Sequence, residues 1–257
     1  MGTSMIGNRV VGGVVSPNVY SVASVLLFAS IALSQEAPRS GYTGEFLREH
    51  NIALTEPALV QALKSSDVEV RDMAAMELAE KKIVNATAAM QEALSVERVP
   101  RARVNIALAL GLLGDNAGLK ELKRICADRD FVTEFRLYAV RYMFDLHSLN
   151  DADCLNAIEE VLESKDTESS DRISALSLLP GFQNITEDQS QKLLRLTIKQ
   201  LGNADPGVRI AASNALAALG NTSAIPDLQR AIAKEQDEDI RSAFQKDLKK
   251  LTNGSRE

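Results

Sequence analysis

Two helical patterns alternate along the chain. In the first, apolar residues recur three and four positions apart, in six stretches: 58–64, 86–94, 119–127, 155–162, 191–201 and 225–233. In the second, an arginine begins a short apolar run, usually rich in alanine and leucine, at Arg71, Arg103, Arg136, Arg172, Arg209 and Arg241. Because both patterns place apolar residues on one side of a helix, the sequence predicts six helical hairpins, each made of a first helix, A, and a second helix, B.

The hairpins recur with a nearly constant period. Successive arginines are 32, 33, 36, 37 and 32 residues apart, and a period in this range is typical of a stacked array. The clearest copies, RVNIALALGLLG at 103–114 and RIAASNALAALG at 209–220, share the arginine, the small apolar core and the final glycine. We therefore expect an all-α fold, an α-solenoid of about six helical hairpins within residues 55–257.

Turn-forming residues agree with this division. Gly114 and Gly220 can adopt the left-handed conformation that ends a helix, and His147 occupies the same position in the third repeat. In three repeats an aspartate stands four positions before the arginine, where its side chain can cap helix B: Asp67, Asp205 and Asp237.

The phrase DPGVRIAASNALAALGN at 205–221 resembles the short bacterial HEAT-like repeat, the type also found in phycobilin lyase subunits. The resemblance is strong at 205–235, good at 67–79 and 103–114, and poor at 136–180. It implies a right-handed superhelix in which helix B lines the concave face, and a scaffold or binding role.

The repeated arginine has two interpretations. It can form a cationic stripe for an anionic ligand, or a structural ladder in which each guanidinium bonds the acid or helix end beside it and in the adjacent repeat. An acid stands four positions before the arginine in four of the six repeats. This favours the ladder, which would comprise the six arginines with Asp67, Asp205 and Asp237.

The third repeat is unusually aromatic. Five of the nine aromatic residues that follow position 34 lie between residues 131 and 144. Tyr138 and Tyr142 replace the alanines of the clear copies, so a locally thicker core is one interpretation. The other is a partner-binding surface on the concave face, with Arg141 and Phe144 facing outward. Its candidate residues are Tyr138, Arg141, Phe144 and Asp145.

The longer connections at 163–170 and 180–188 are loops that either bind a partner or are tolerated insertions.

Residues 1–34 have the pattern of a targeting segment. Arg9 is the only charged residue before Glu36, the apolar run is densest at 19–33, and it ends in the small-residue sequence Ala-Leu-Ser. We expect a signal peptide cleaved after Ser34, then a linker and N-terminal cap at 35–54. An uncleaved membrane anchor is the alternative. Both imply export, to the periplasm or out of the cell.

The sequence contains few other signals of a binding or catalytic site. The formal net charge of −6 is spread along the chain, which argues against a nucleic-acid partner. There are two histidines, and no set of residues with the spacing of a catalytic, metal or cofactor site is found. We therefore expect no cofactor and no enzymatic activity.

Cys126 and Cys154 are the only cysteines. If Ala117 lies opposite Ala152 in parallel helices, the two thiols are seven positions apart, or about 10 Å along the axis. That exceeds the reach of a disulfide, so two reduced, buried thiols are expected.

These observations favour an exported, non-enzymatic scaffold that binds a protein or peptide along its concave face. The alternative is a lyase-like or other enzyme subunit that acts with a partner or a bound cofactor.

Overall fold

The computed structural model describes residues 42–149, 152–182 and 184–253. Within them the chain forms thirteen α-helices and no strand. They are α1 (Tyr42–Glu49), α2 (Glu56–Ala62), α3 (Val68–Glu80), α4 (Thr87–Val96), α5 (Pro100–Leu112), α6 (Asn116–Ala127), α7 (Thr133–Asp145), α8 (Ala152–Glu163), α9 (Ser169–Leu178), α10 (Glu187–Gln200), α11 (Pro206–Leu219), α12 (Ile225–Lys234) and α13 (Glu238–Asn253). Short 3-10 turns lie at Val84–Ala86, Leu179–Gly181 and Thr222–Ala224.

The helices from α2 onward form six consecutive hairpins. The even-numbered members, α2 to α12, are the A helices, and the odd-numbered members, α3 to α13, are the B helices. The all-α solenoid expected from the sequence is thus confirmed.

The B helices form the tighter layer of the solenoid. Each B helix packs against the next along the whole series, whereas consecutive A helices pack extensively only around α8. Because the layer with the closer spacing has the smaller radius, the B helices line the concave side.

Capping residues explain where several of the B helices begin or end. The side chain of Asp67 accepts a hydrogen bond from the Glu69 amide at 2.8 Å, and Asp205 accepts one from the Gly207 amide at 2.7 Å. At the other ends the backbone enters the left-handed region, which favours glycine. The three residues that do so at the predicted positions are Gly114 (φ 78°), His147 (φ 52°) and Gly220 (φ 67°).

Helix α1 continues the array at its N-terminal end. Leu47 is fully buried in the core, and the Thr43 hydroxyl donates to Glu77 of α3 at 2.8 Å. Residues 42–49 of the predicted linker and cap region are therefore a helix docked on the first repeat.

The predicted targeting segment at 1–34 lies outside the described residues. None of the described helices is long and apolar enough to cross a bilayer.

A glycine allows helices α5 and α6 to lie very close together. Gly118 of α6 is buried, and a Cβ atom there would lie 2.3 Å from the carbonyl oxygen of Ala107 and 2.6 Å from the nitrogen of Gly111. Small residues are thus used for close approach between helices, as the alanines of the repeat suggest.

The prediction of two reduced thiols is wrong. Cys126, near the end of α6, and Cys154, near the start of α8, form a disulfide with their Cα atoms 5.0 Å apart. The prediction assumed that consecutive A helices are parallel, with Ala117 opposite Ala152. In the structure the last turn of α6 meets the first turn of α8. The assumed register is therefore wrong.

Candidate functional site

The repeated arginines join neighbouring repeats. The Arg71 guanidinium donates to the carbonyl oxygen of Ser65 at 2.9 Å, and to both carboxylate oxygens of Glu97, at 2.7 and 3.0 Å. Arg209 forms the same two-point pair with Glu235, at 2.8 and 3.2 Å. Each glutamate stands 26 residues after its arginine, at the end of the next helix A.

The other four arginines vary this arrangement. Arg103 and Arg136 reach carboxylates of a later A helix, namely Glu121 and Glu160. Arg172 and Arg241 donate to backbone carbonyls that end the preceding helix A, at residues 161 and 164 and at residues 235 and 236. All six are thus bonded within the scaffold. The three predicted aspartates cap helices, and the pairing carboxylates come from downstream instead.

The arginine pairs change the ionisation of their carboxylates. Burial disfavours the charged form of Glu97, but hydrogen bonds from Arg71 and from backbone amides outweigh it, so the pKa of Glu97 is lowered. The same opposition, with Arg209 as the donor, lowers the pKa of Glu235. These glutamates are ionised structural groups at neutral pH.

A polar chain crosses three consecutive B helices. The Tyr142 hydroxyl of α7 donates to the side-chain oxygen of Asn105 on α5 at 2.9 Å. The amide of Asn105 donates to Asp72 of α3 at 3.1 Å, and Arg101 lies 3.3 Å from the same carboxylate. Asp72 is only 1 % exposed, and burial raises its pKa to about 6.

This series of hydrogen bonds was not predicted from the sequence. Its one sequence signal is Asp72 itself, which directly follows the repeat arginine. Four of the other five copies have an apolar residue there: Val104, Leu137, Ile173 and Ile210.

A groove of about 610 Å³ runs between α7 and α9 on the concave side. Helix α7 contributes aromatic and charged side chains, and α9 contributes hydroxyls and carboxylates. Its principal lining residues are Glu134, Tyr138, Arg141, Tyr142, Asp171 and Ser174. We call it the α7–α9 groove.

The four predicted binding residues do not form one cluster. Tyr138 and Arg141 line the α7–α9 groove, and Asp145 lies 3.7 Å from Arg141 as an ion pair. Phe144 is 45 % exposed but lies beside Gly181, where an added Cβ would come within 2.5 Å of its ring. Phe144 thus packs at the end of the repeat, outside the groove.

Tyr138 and Tyr142 pack against the core and also line the α7–α9 groove. Both are partly buried and pack against the apolar core, with ring centroids 6.3 Å apart and planes at 19°. The Tyr138 hydroxyl donates to Glu134 at 3.1 Å. Burial, followed by the effects of Glu134 and Asp171, raises the pKa of Tyr138 to about 12, so it is a neutral donor at physiological pH.

Other sites are less suited to a ligand. A second groove of about 610 Å³ is lined by Arg209 and Glu235, which already bond each other. In the described part of the chain, no group of three or more histidine, cysteine, aspartate or glutamate residues is arranged to hold a metal ion.

The sequence profile of HEAT repeats matches residues 56–140 and 155–249, well over half of the chain. The chain belongs to the HEAT-repeat family. No curated protein matches its sequence significantly. Among solved structures it is similar to that of the Escherichia coli protein YibA, with 17 % identity over 88 % of this chain and 82 % of that one and a TM-score of 0.52. At this identity the likeness concerns the HEAT-repeat fold alone.

Two further solved structures match more loosely. One is human deoxyhypusine hydroxylase, with 14 % identity, coverage of 90 % of this chain and 96 % of that one, and a TM-score of 0.39. The other is the CpcE–CpcF complex of phycocyanin lyase from a Nostoc species, with 18 % identity, coverage of 77 % and 95 %, and a TM-score of 0.37.

These neighbours correct one expectation. No enzymatic activity was expected from the sequence, but the solved structures similar to this protein include a hydroxylase and a lyase. A HEAT-repeat architecture therefore does not exclude an enzymatic role, and that expectation is withdrawn. The activities belong to those proteins.

Proposed function

We propose that this HEAT-repeat protein is an exported scaffold that binds a segment of a partner protein along its concave face. The observation that carries the proposal is the α7–α9 groove, which is open to solvent and walled by two tyrosines on one side and by serines on the other. Grooves of a few hundred Å³ that combine aromatic surface with a few polar groups are typical of ligand-binding sites.

The shape of the groove suits an extended peptide. The lining residues on the α7 side run from Val132, which directly precedes the helix, to Tyr142. This span corresponds to roughly 15 Å along the helix axis at 1.5 Å per residue. An extended chain rises about 3.3 Å per residue, so the groove accommodates four or five residues of a partner.

The disulfide supports the export part of the proposal. Cys126 and Cys154 are both fully buried and bonded to each other, and stable structural disulfides are typical of oxidising compartments outside the cytosol. Together with the apolar pattern of residues 1–34, this favours a periplasmic or secreted location. A membrane anchor formed by the same segment is the alternative.

Photo-crosslinking in the native cell envelope tests the binding face. The photoreactive residue p-benzoylphenylalanine would replace Ser177, an exposed groove residue of α9. The matched control carries it at Lys120, which is exposed on the A helix α6. Crosslinks to a discrete partner from position 177 and none from position 120 are expected. Equal crosslinking from both positions, or none from 177, would contradict a concave binding face.

Cell fractionation tests export separately. The protein is expected in the envelope or medium, with a disulfide detected by a mobility shift on reduction. Recovery from the cytosol with residues 1–34 intact would contradict it.

A further inference from the structure

The α7–α9 groove carries more negative than positive charge. Glu134 of α7, Asp171 of α9 and Glu168, which directly precedes α9, all line it. Arg141 is the only basic residue among the described residues that line it. Arg141 lies within ion-pair distance of Asp145, which is outside the lining set. Among the described residues, no lysine or arginine lies within ion-pair distance of the three groove carboxylates.

The acidic residues share the groove with an aromatic ring. Tyr138 lines the groove with them; its hydroxyl donates to Glu134 and its ring is stacked on that of Tyr142. A cation positioned over a tyrosine ring is attracted by the ring's π electrons, and a neighbouring carboxylate adds a charge-assisted hydrogen bond. The groove therefore offers both contacts that a basic side chain uses.

The carboxylates of the groove interact unfavourably with one another. Burial, and then the charges of Glu134 and Glu168, raise the pKa of Asp171. A bound cation would relieve this repulsion, so the charge balance is complementary to a positively charged partner.

We propose that the α7–α9 groove binds an extended segment of a partner protein through an arginine or lysine side chain, stacked on Tyr138 and hydrogen-bonded to Asp171 and Glu134. The inference rests on the proposed concave binding face and names the chemistry of its ligand. The hydroxyls of Ser174 and Ser177 lie along the same wall. They donate to carbonyls within α9, so they can accept hydrogen bonds from the amides of the bound segment.

Selection from a library of random dodecapeptides displayed on phage tests this chemistry. The bait is the protein produced from its full chain, and bound peptides are then made synthetically for measurement of Kd. The test variant, Glu134→Gln with Asp171→Asn, removes two charges while keeping the size of both side chains. Its matched control, Glu238→Gln with Asp239→Asn, removes the same charges from exposed positions at the start of α13.

Retained peptides are expected to carry arginine or lysine, and the control is expected to bind them as the wild type does. The test variant should weaken binding by roughly two- to five-fold per carboxylate, within the range measured for exposed ion pairs. Replacing the basic residue of the peptide with norleucine should give a similar loss, and arginine and lysine versions identify the preferred cation. Circular dichroism verifies that both variants are folded.

Two results would overturn the inference in distinguishable ways. Peptides that lack basic residues but lose affinity on Tyr138→Ala would contradict the cationic ligand and leave the concave binding face intact. Peptides whose binding is unaffected by Tyr138→Ala, or the absence of any retained peptide, would contradict the binding face as well.

Discussion

Arg209 and Glu235 form a two-point ion pair between consecutive repeats, with nitrogen–oxygen distances of 2.8 and 3.2 Å. Glu235 also accepts hydrogen bonds from the backbone amides of residues 236 and 237. The Glu235 carboxylate thus accepts hydrogen bonds both from the guanidinium of helix α11 and from the amides of the turn that leads into α13.

Replacing Glu235 with alanine should destabilise the last two repeats. The substitution leaves Nε and Nη2 of the partly buried Arg209 and two backbone amides without their acceptor, which costs about 2 kcal/mol. Urea unfolding followed by circular dichroism measures the free energy of unfolding. Glu238→Ala, at an exposed neighbouring position, is the control and should change it by less than about 0.5 kcal/mol. Equal effects would show that the pair contributes nothing to stability.

The arginine pairs should also make the protein sensitive to acid. Glu97 and Glu235 have a lowered pKa in the folded protein, so their contribution is complete above the ordinary glutamate value of 4.5 and is lost as the pH falls through the folded value. The double variant Glu97→Gln, Glu235→Gln should be less stable than the wild type at pH 7. In urea titrations run from pH 7 downwards, the difference should shrink as the pH falls below 4.5. A constant difference across that range would contradict the assignment.

Removing the disulfide should lower stability without changing the fold. The bond closes a loop with a sequence separation of 28 residues, for which loop-closure entropy gives about 3.5 kcal/mol. The double variant Cys126→Ser, Cys154→Ser should melt at a lower temperature than the wild type. Reducing agent should lower the melting temperature of the wild type but not of the variant. An unchanged melting temperature on reduction of the wild type, with free thiols verified by mass, would contradict a stabilising bond.

The close contact between α5 and α6 predicts a sharp difference between two glycines. Gly118→Ala places a methyl group against backbone atoms at 2.3 and 2.6 Å and should cost about 3 kcal/mol, because backbone cannot move aside as a flexible side chain can. Gly202→Ala is the control, since its nearest contact would be a backbone oxygen at 3.9 Å. Thermal melts compare the two. Similar melting temperatures would show that α6 can shift without loss.

The fold could be predicted from the sequence because its signals are local. Helix starts depend on side chains such as Asp67 and Asp205, which bond amides two or three residues away. Helix ends depend on residues such as Gly220, whose backbone conformation is intrinsic. A period of 32 to 37 residues then requires stacking, because one hairpin cannot bury its apolar face alone.

The contacts between repeats could not be predicted in the same way. The partner of Arg71 stands 26 residues downstream, and its identity depends on how one hairpin sits on the next. The disulfide was missed because an ideal parallel register was assumed for α6 and α8. The chain of Asp72, Asn105 and Tyr142 joins positions 33 and 37 residues apart, and the α7–α9 groove also needs two helices placed side by side.

Asp72 provides a final prediction, with a pH dependence opposite to that of the glutamates. Burial raises its pKa from 3.8 to about 6, so at pH 7 folding must keep a buried carboxylate charged, and one of its oxygens has no hydrogen-bond partner. As the pH falls from 7 towards 4, the Asp72 carboxylate becomes protonated in the folded state before it does in the unfolded state, so the free energy of unfolding should rise by up to about 3 kcal/mol.

Asp72→Asn should remove this rise and be at least as stable as the wild type at pH 7, because an amide keeps the acceptor for Asn105 without the charge. Comparing the variant with the wild type in urea at pH 7.5, 6 and 5 cancels the contributions of all other groups. A stability difference that does not change over this range would contradict a raised pKa at Asp72.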